Sequence, residues 1–298
     1  MANLRDVRLR MRAIRQTLQV TNAMKLISTA KLKKARRLLE DTEPYFSRIQ
    51  KAMFDLLSGV DNVNNVDSVF FRKNDPSKPS RTAIVVITSD KGLAGGYNAN
   101  IFRQVNDLCG RVKDPILILI GSIGYRYFVH SSQTILENFS FRSQIPNVAH
   151  AKEVADYVIS QFLWGMFNEV HIVYTHMYSA IRQQPAEAQI LPLDIEQIKN
   201  ELSLSTSELR VKLQFEFSPS KEEVFDALVP LYIKGILYGC MVESYASEQV
   251  ARMAAMDEAS KSADEILAGL QINYNRVRQA GITQEMSEIV GGSAALTD

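Results

Sequence analysis

Chemistry needs polar side chains held at controlled spacing, and this sequence offers few such sets. Ser89-Asp90-Lys91-Gly92-Leu93-Ala94-Gly95-Gly96 follows a strand-like run and precedes a helical one, which is the placement of a phosphate-binding loop. Its chemistry would be nucleotide binding, with backbone N–H groups cradling phosphate oxygens. Yet Lys91 stands ahead of the glycines, and neither Gly-Lys-Ser/Thr nor Gly-x-Gly-x-x-Gly is present. A tight turn using the backbone freedom of glycine accounts for the same residues more simply. His171 and His176 flank Ile172–Thr175; their odd spacing on a strand puts them on opposite faces, and no Cys/His pattern gathers them around a metal. His130 and His150 stand alone, and no serine or cysteine carries the local signature of an activated nucleophile. Arg8, Arg12 and Arg15 line one helix face and could meet nucleic-acid phosphates, but no aromatic platform is interleaved with them. No residue is assigned a catalytic, cofactor-binding or metal-binding role.

The elements that hold these residues are more telling. From Asn3 to Val60 apolar residues recur at alternating steps of three and four: Leu4, Val7, Met11, Ile14 and Leu18, then Leu32, Ala35 and Leu39, then Phe46, Ile49, Met53, Leu56 and Val60. A period of 3.5 sustained that far marks a helix that supercoils against a partner. At 1.5 Å per residue it would be roughly 85 Å long. Asn3 and Asp6 make a capped start, and Pro44 is expected to kink the helix. Three seam positions in a row, Thr21, Lys25 and Ser28, are polar. Either the seam is locally wet there, or register or another surface matters at that point.

The middle of the chain changes period. Thr82–Thr88 is a continuous β-branched run of the kind buried on both faces of a parallel sheet. The expected order is a helix over Tyr97–Val112, a strand over Pro115–Ile120, a short helix over Ser122–His130 and a weak strand at Thr134–Phe139. A helix over Val148–Met166 and a strand over Glu169–Thr175 follow, then closing strands at Ala188–Leu193 and Leu209–Phe217. Alternating strands and helices predict a small parallel α/β sheet. From Glu222 to Ala295 the helical period returns, with a seam rich in Gly, Ala and Ser that lets a neighbour approach closely: Gly235, Gly239, Val242, Ala246, Gln249, Met253, Met256, Ser260, Ala263, Leu267. The fold class is α/β: a long antiparallel coiled coil of N- and C-terminal helices, residues 1–58 and 221–298, with a Rossmann-like α/β domain at 81–217 inserted between them and a loop at 59–80.

Bulk properties fit a folded chain, at 46% hydrophobic and 22% charged residues. The net charge of +1 hides an imbalance between a strongly basic stretch 1–40 and an acidic 241–298, which favours their pairing. Cys109 and Cys240 lie in apolar surroundings and are expected to be reduced thiols. No apolar run is expected to reach the length that spans a bilayer, and no signal or transit segment is expected ahead of the first helix.

Several stretches are recognisable. Met11-Arg12-Ala13-Ile14-Arg15-Gln16-Thr17, Thr21-Asn22-Ala23-Met24-Lys25-Leu26 and Ala30-Lys31-Leu32 resemble the N-terminal helix of the gamma subunit of F-type ATP synthases of the bacterial type. Ser89–Asn98 resembles that family's turn after the first strand. Glu248–Met256, Tyr274–Glu285 and Glu288–Gly292 are similar to its C-terminal helix.

The resemblance implies a non-catalytic central-stalk rotor. It would couple rotation of the membrane c ring, driven by protons, to conformational cycling of the catalytic beta subunits, and it would use no cofactor. The implied partners are the alpha and beta subunits of the catalytic ring, the epsilon subunit and the c-subunit ring. The implied place is the cytoplasmic face of a bacterial inner membrane, as a peripheral protein. By the same resemblance Met24 and Lys25 lie near the beta-subunit lever, with Glu248 and Arg252 facing them across the shaft. Arg278, Gln279 and Thr283 would meet the loops that grip the shaft higher up, Ile289–Leu296 would turn in a sleeve, and Glu216 and Phe217 would belong to the foot. The alternatives are a Rossmann-like nucleotide-binding enzyme using the Ser89–Gly96 turn, and a coiled-coil nucleic-acid scaffold.

Overall fold

A run such as Thr82-Ala83-Ile84-Val85-Val86-Ile87 has no polar face, so it must lie in a sheet covered on both sides. The computed structural model of the chain places it so, and describes residues 4–58, 68–71, 81–140, 145–179, 182–193 and 220–295. In order these form α1 (Leu4–Ser58), a single 3-10 turn (Val69–Phe71), β1 (Thr82–Ile87), α2 (Tyr97–Arg111), β2 (Pro115–Ile120), α3 (Ser122–Phe128), β3 (Thr134–Phe139), α4 (Val148–Leu163), β4 (Glu169–Met177), β5 (Gln183–Leu191) and α5 (Lys221–Ala295). The expected strand at 209–217, the segment 194–208 and most of the loop 59–80 lie outside the described residues. Helices continue through Pro44 and Pro230.

Contacts divide the chain into two compact units: residues 1–29 with 252–298, and residues 30–251. In the second unit the sheet runs β3-β2-β1-β4-β5. The first four strands are parallel, and β5 is antiparallel to β4. The period-two alternation of β1 sorts its side chains between two cores. Ile84 and Val86 face α2 through Ile101, Val105 and Leu108. Val85 and Ile87 face α4 through Ala151, Val154 and Val158, together with Met53 of α1 and Phe225, Val229 and Leu237 of α5. Thus residues 30–58 of α1 and 221–251 of α5 belong to the unit that holds the sheet. Gly235 lets them approach, since a Cβ there would stand 2.5 Å from the Phe46 ring.

One expectation is corrected here. By length and composition α5 contains a stretch apolar enough to cross a membrane. Much of that apolar surface is committed elsewhere: Phe225, Val229, Tyr232, Ile233, Leu237 and Tyr238 are buried in the core of the sheet unit.

Candidate functional site

The Ser89–Gly96 turn is satisfied by its own residues. Ser89 Oγ donates to the Lys91 carbonyl at 2.9 Å, the Ser89 amide donates to Asn98 Oδ1 at 3.1 Å, and Asn98 Nδ2 donates to Ser89 Oγ at 2.7 Å. The N-terminus of α3, which packs against the turn, already carries an anion. Asp90 Oδ1 accepts from the Ser122 amide at 2.9 Å and from its hydroxyl at 3.1 Å. A phosphate drawn to that helix end would have to displace this carboxylate.

The strand order places the reversal point between β1 and β4, where doubly wound sheets open a crevice for ligands beyond their carboxyl ends. Here α5 crosses that point. Glu243, Ser244 and Ser247 reach the end of β4, and a shallow cleft beside them is lined by Thr88, Asp90, Lys91, His150, Tyr245 and Glu248. Side chains of α5 thus stand at one side of the crevice, bonded to β4.

The histidines also have structural surroundings. His171 lies 3.8 Å from Glu169 and 3.7 Å from Glu187, while His176 Nδ1 lies 2.7 Å from Glu243. They face opposite sides of β4, as their spacing predicts. Among the described residues no group of three or more His, Cys, Asp or Glu is gathered to hold a metal ion. Cys240 is buried, which pushes its thiol pKa upward, and burial raises that of Cys109 to about 11. Both are poor nucleophiles at neutral pH.

The first unit is a pair of helices. Contacts run antiparallel from Arg8–Tyr274 through Thr21–Ser260 and Lys25–Asp257 to Thr29–Met253. Arg8 both donates to the Tyr274 hydroxyl at 2.8 Å and lies 5.5 Å from its ring centroid. Val7, Met11, Met256 and Ala263 are buried, as the seams predict. The polar interruption is not a wet gap. Ser28 is 1% exposed and Thr21 is buried, its hydroxyl hydrogen-bonded to that of Ser260 at 2.8 Å. Small side chains let the helices close, and the two hydroxyls satisfy each other. Thr21 and Ser28 therefore face inward and offer nothing to an outside partner.

The seven residues assigned to partner contact fall in different places. Met24 is half-buried and Lys25 is paired with Asp257, which also binds Lys261 at 3.0 Å. The side chain that Lys25 meets across the pair is Asp257. Arg252 is buried, next to the Met253 that meets Thr29. Glu248 belongs to the other unit, at the rim of the cleft beside Asp90. Heptad spacing does not choose among registers that slide by a repeat; here the Thr21–Ser260 and Lys25–Asp257 pairs choose. Arg278, Gln279 and Thr283 are all exposed, and Thr283 Oγ1 donates back to the Gln279 carbonyl at 2.9 Å.

The structure adds a face that the seam did not reveal. Leu26 is 71% exposed and Ile272 is 72% exposed; Val20, Ile27, Ile282, Met286, Ile289 and Val290 are also out in solvent. Val20, Ala23 and Ile27 follow an i, i+3, i+7 spacing, so this second stripe was present in the sequence beside the stronger one. From Arg278 to Val290 every side chain of α5 is exposed. A helix pair with its seam closed and apolar residues left outward has a surface for other chains.

A family model described as ATP synthase matches residues 3–296. The ATP synthase gamma chain of Acetivibrio thermocellus is 41% identical over 99% of this chain and 100% of that one. A gamma chain from Acetobacterium woodii, described as sodium ion specific, is 37% identical over 99% of each. A chain from the central stalk and c ring of the Tetrahymena thermophila mitochondrial ATP synthase matches with TM-score 0.57 and 25% identity, over 81% of this chain and 99% of that one. One from the Euglena gracilis mitochondrial ATP synthase reaches TM-score 0.67 at 18% identity, over 98% and 94%, a likeness of fold.

Proposed function

The chain belongs to the ATP synthase gamma-chain family, a non-catalytic subunit of the central stalk, and we propose that it is the rotor that joins ion flow to nucleotide chemistry carried out elsewhere. In this proposal residues 1–58 and 221–298 form the shaft, and the α/β domain rests on the c ring with the epsilon subunit beside it. The shaft turns inside the ring of alpha and beta subunits. Its asymmetry forces the catalytic sites on beta through successive conformations. The complex would be held at the cytoplasmic face of a bacterial inner membrane.

The observation that supports this most is the outward apolar surface of the first unit, from Val20, Leu26 and Ile27 to the fully exposed end of α5. Residues that no part of their own unit covers fit a bearing surface, where contacts must be apolar enough to seat and weak enough to slide. Met24 and Lys25 would meet the beta lever, with Arg252 and Glu248 supporting the shaft nearby, and Arg278, Gln279 and Thr283 would meet the gripping loops. The coupling ion would be the proton, although one relative is described as sodium ion specific; that choice would lie with the c ring. The test is purification of the tagged chain from detergent-solubilised membranes with identification of its partners by mass spectrometry. Recovery of alpha, beta, epsilon and c subunits is expected, and their absence would overturn the proposal.

A further inference from the structure

The pairing of β1 with β4 ends at Val86 opposite Val173, while β4 runs on to Met177. Beyond that point β5 still follows β4 on its other side, with Pro185 opposite Thr175 and Gln183 opposite Met177. Pro185 has no N–H to give, and Thr175 turns both of its backbone groups toward α5. The Thr175 amide donates to Ser244 Oγ at 3.0 Å, and Ser247 Oγ donates to the Thr175 carbonyl at 3.4 Å. Two residues on, where a strand presents the same edge again, the Met177 amide donates to Glu243 Oε1 at 2.9 Å. Glu243 Oε1 also lies 2.7 Å from His176 Nδ1. Ser244 and Ser247 stand one turn apart on α5 and are fully buried. Three side chains of a helix thus replace the strand that β1 no longer supplies.

We propose that this joint is where torque passes between the α/β domain and the long helix, with Glu243, Ser244 and Ser247 as positioning residues; the inference rests on the rotor function proposed above. Apolar packing around the joint is non-directional and would let the helix roll or slide with little penalty. Hydrogen bonds into a strand edge fix both its rotation and its height, because each requires a set distance and angle.

The test uses the whole complex reconstituted in vesicles, carrying Ser244→Ala with Ser247→Ala, or Glu243→Leu, or Glu243→Gln. Each lost bond raises the slipped population about fivefold under load. ATP hydrolysis by the detergent-solubilised complex stays near wild type, while the ratio of ions pumped to ATP hydrolysed falls for the serine pair and for Leu. Gln still accepts from the Met177 amide and restores the ratio. Because Glu243 is partly exposed, its two variants decide the question if the buried serine pair prevents assembly. Unchanged pumping in Glu243→Leu, or equal loss in Leu and Gln, would overturn the joint. A wild-type complex that does not rotate this chain would instead overturn the rotor function.

Discussion

Thr21 on α1 and Ser260 on α5 share a hydroxyl–hydroxyl hydrogen bond of 2.8 Å, buried in the seam of the helix pair. Thr21 Oγ1 also donates to the Leu18 carbonyl at 3.0 Å, so Ser260 is the donor in the shared bond. Removing the Thr21 hydroxyl leaves that of Ser260 buried without its acceptor, whereas Ser260→Ala leaves Thr21 still bonded to Leu18. Thr21→Val alone is therefore expected to destabilise the pair by about 1–3 kcal/mol and Ser260→Ala alone by less, with the double variant recovering most of the Thr21→Val loss. Urea unfolding followed by circular dichroism checks this; additive losses would mean that the two hydroxyls do not act together.

Asp257 ties Lys25 across the pair and Lys261 along its own helix, and the hydrogen bond from Lys25 is the first cause that holds its carboxyl below the usual range. A carboxyl whose pKa is lower folded than unfolded stabilises above its unfolded value, near pH 4, and loses that contribution as pH falls through the folded value. Helicity of Asp257→Asn should show a shallower acid transition than wild type. The difference should shrink at high salt, because the pair is partly exposed. Parallel acid transitions at both salt levels would remove Asp257 from the account.

Met24 sits half-buried beside Lys25, whose charge is already matched by Asp257. Met24→Lys adds a cation next to an acid already shared by two lysines. Under the proposed rotor function the assembled complex is expected still to hydrolyse ATP but to pump about half as many ions per ATP or fewer, since an unmatched cation at the proposed lever contact would let turnover proceed without full rotation of the shaft. Equal pumping per ATP in variant and wild type contradicts this placement.

Gly121, at the end of β2, has φ +100°, and a Cβ there would lie 2.3 Å from the Thr88 carbonyl oxygen. Thr88 binds this junction further, donating its hydroxyl to the Ile120 carbonyl at 2.9 Å and accepting from the Gly124 amide at 3.0 Å. Gly121→Ala should destabilise the sheet unit by about 2–4 kcal/mol through strain and overlap together. A chemical-denaturation midpoint indistinguishable from wild type would show that the junction relaxes without penalty.

The seams and the strand runs were legible because they are periodic. Val7 and Met11 are buried where the 3.5 repeat puts them, and Ile84 and Val85 fill opposite cores as period two requires. Axial register was not legible. A repeat tolerates sliding, and only specific pairs such as Thr21–Ser260 and Lys25–Asp257 fix the alignment. β5 was foreseen only from Ala188, because Gln183, Gln184 and Pro185 lack a strand's usual residues. Its alignment comes from β4 beside it. The role of Thr21 and Ser28 was visible as an anomaly but not in direction: a polar residue in a seam can be wet, outward or paired, and distance alone separates these.

The most direct measurement of the central claim is rotation itself. Trp164 is 76% exposed on the sheet unit, whereas Cys240 is buried and the Cys109 thiol is pushed up to about 11. A Trp164→Cys variant should therefore take a maleimide-linked bead selectively at neutral pH. With the complex fixed to a surface through its beta subunits, the rotor account predicts continuous unidirectional turning of the bead on adding ATP. A bead that stays still while the same complexes hydrolyse ATP would contradict it.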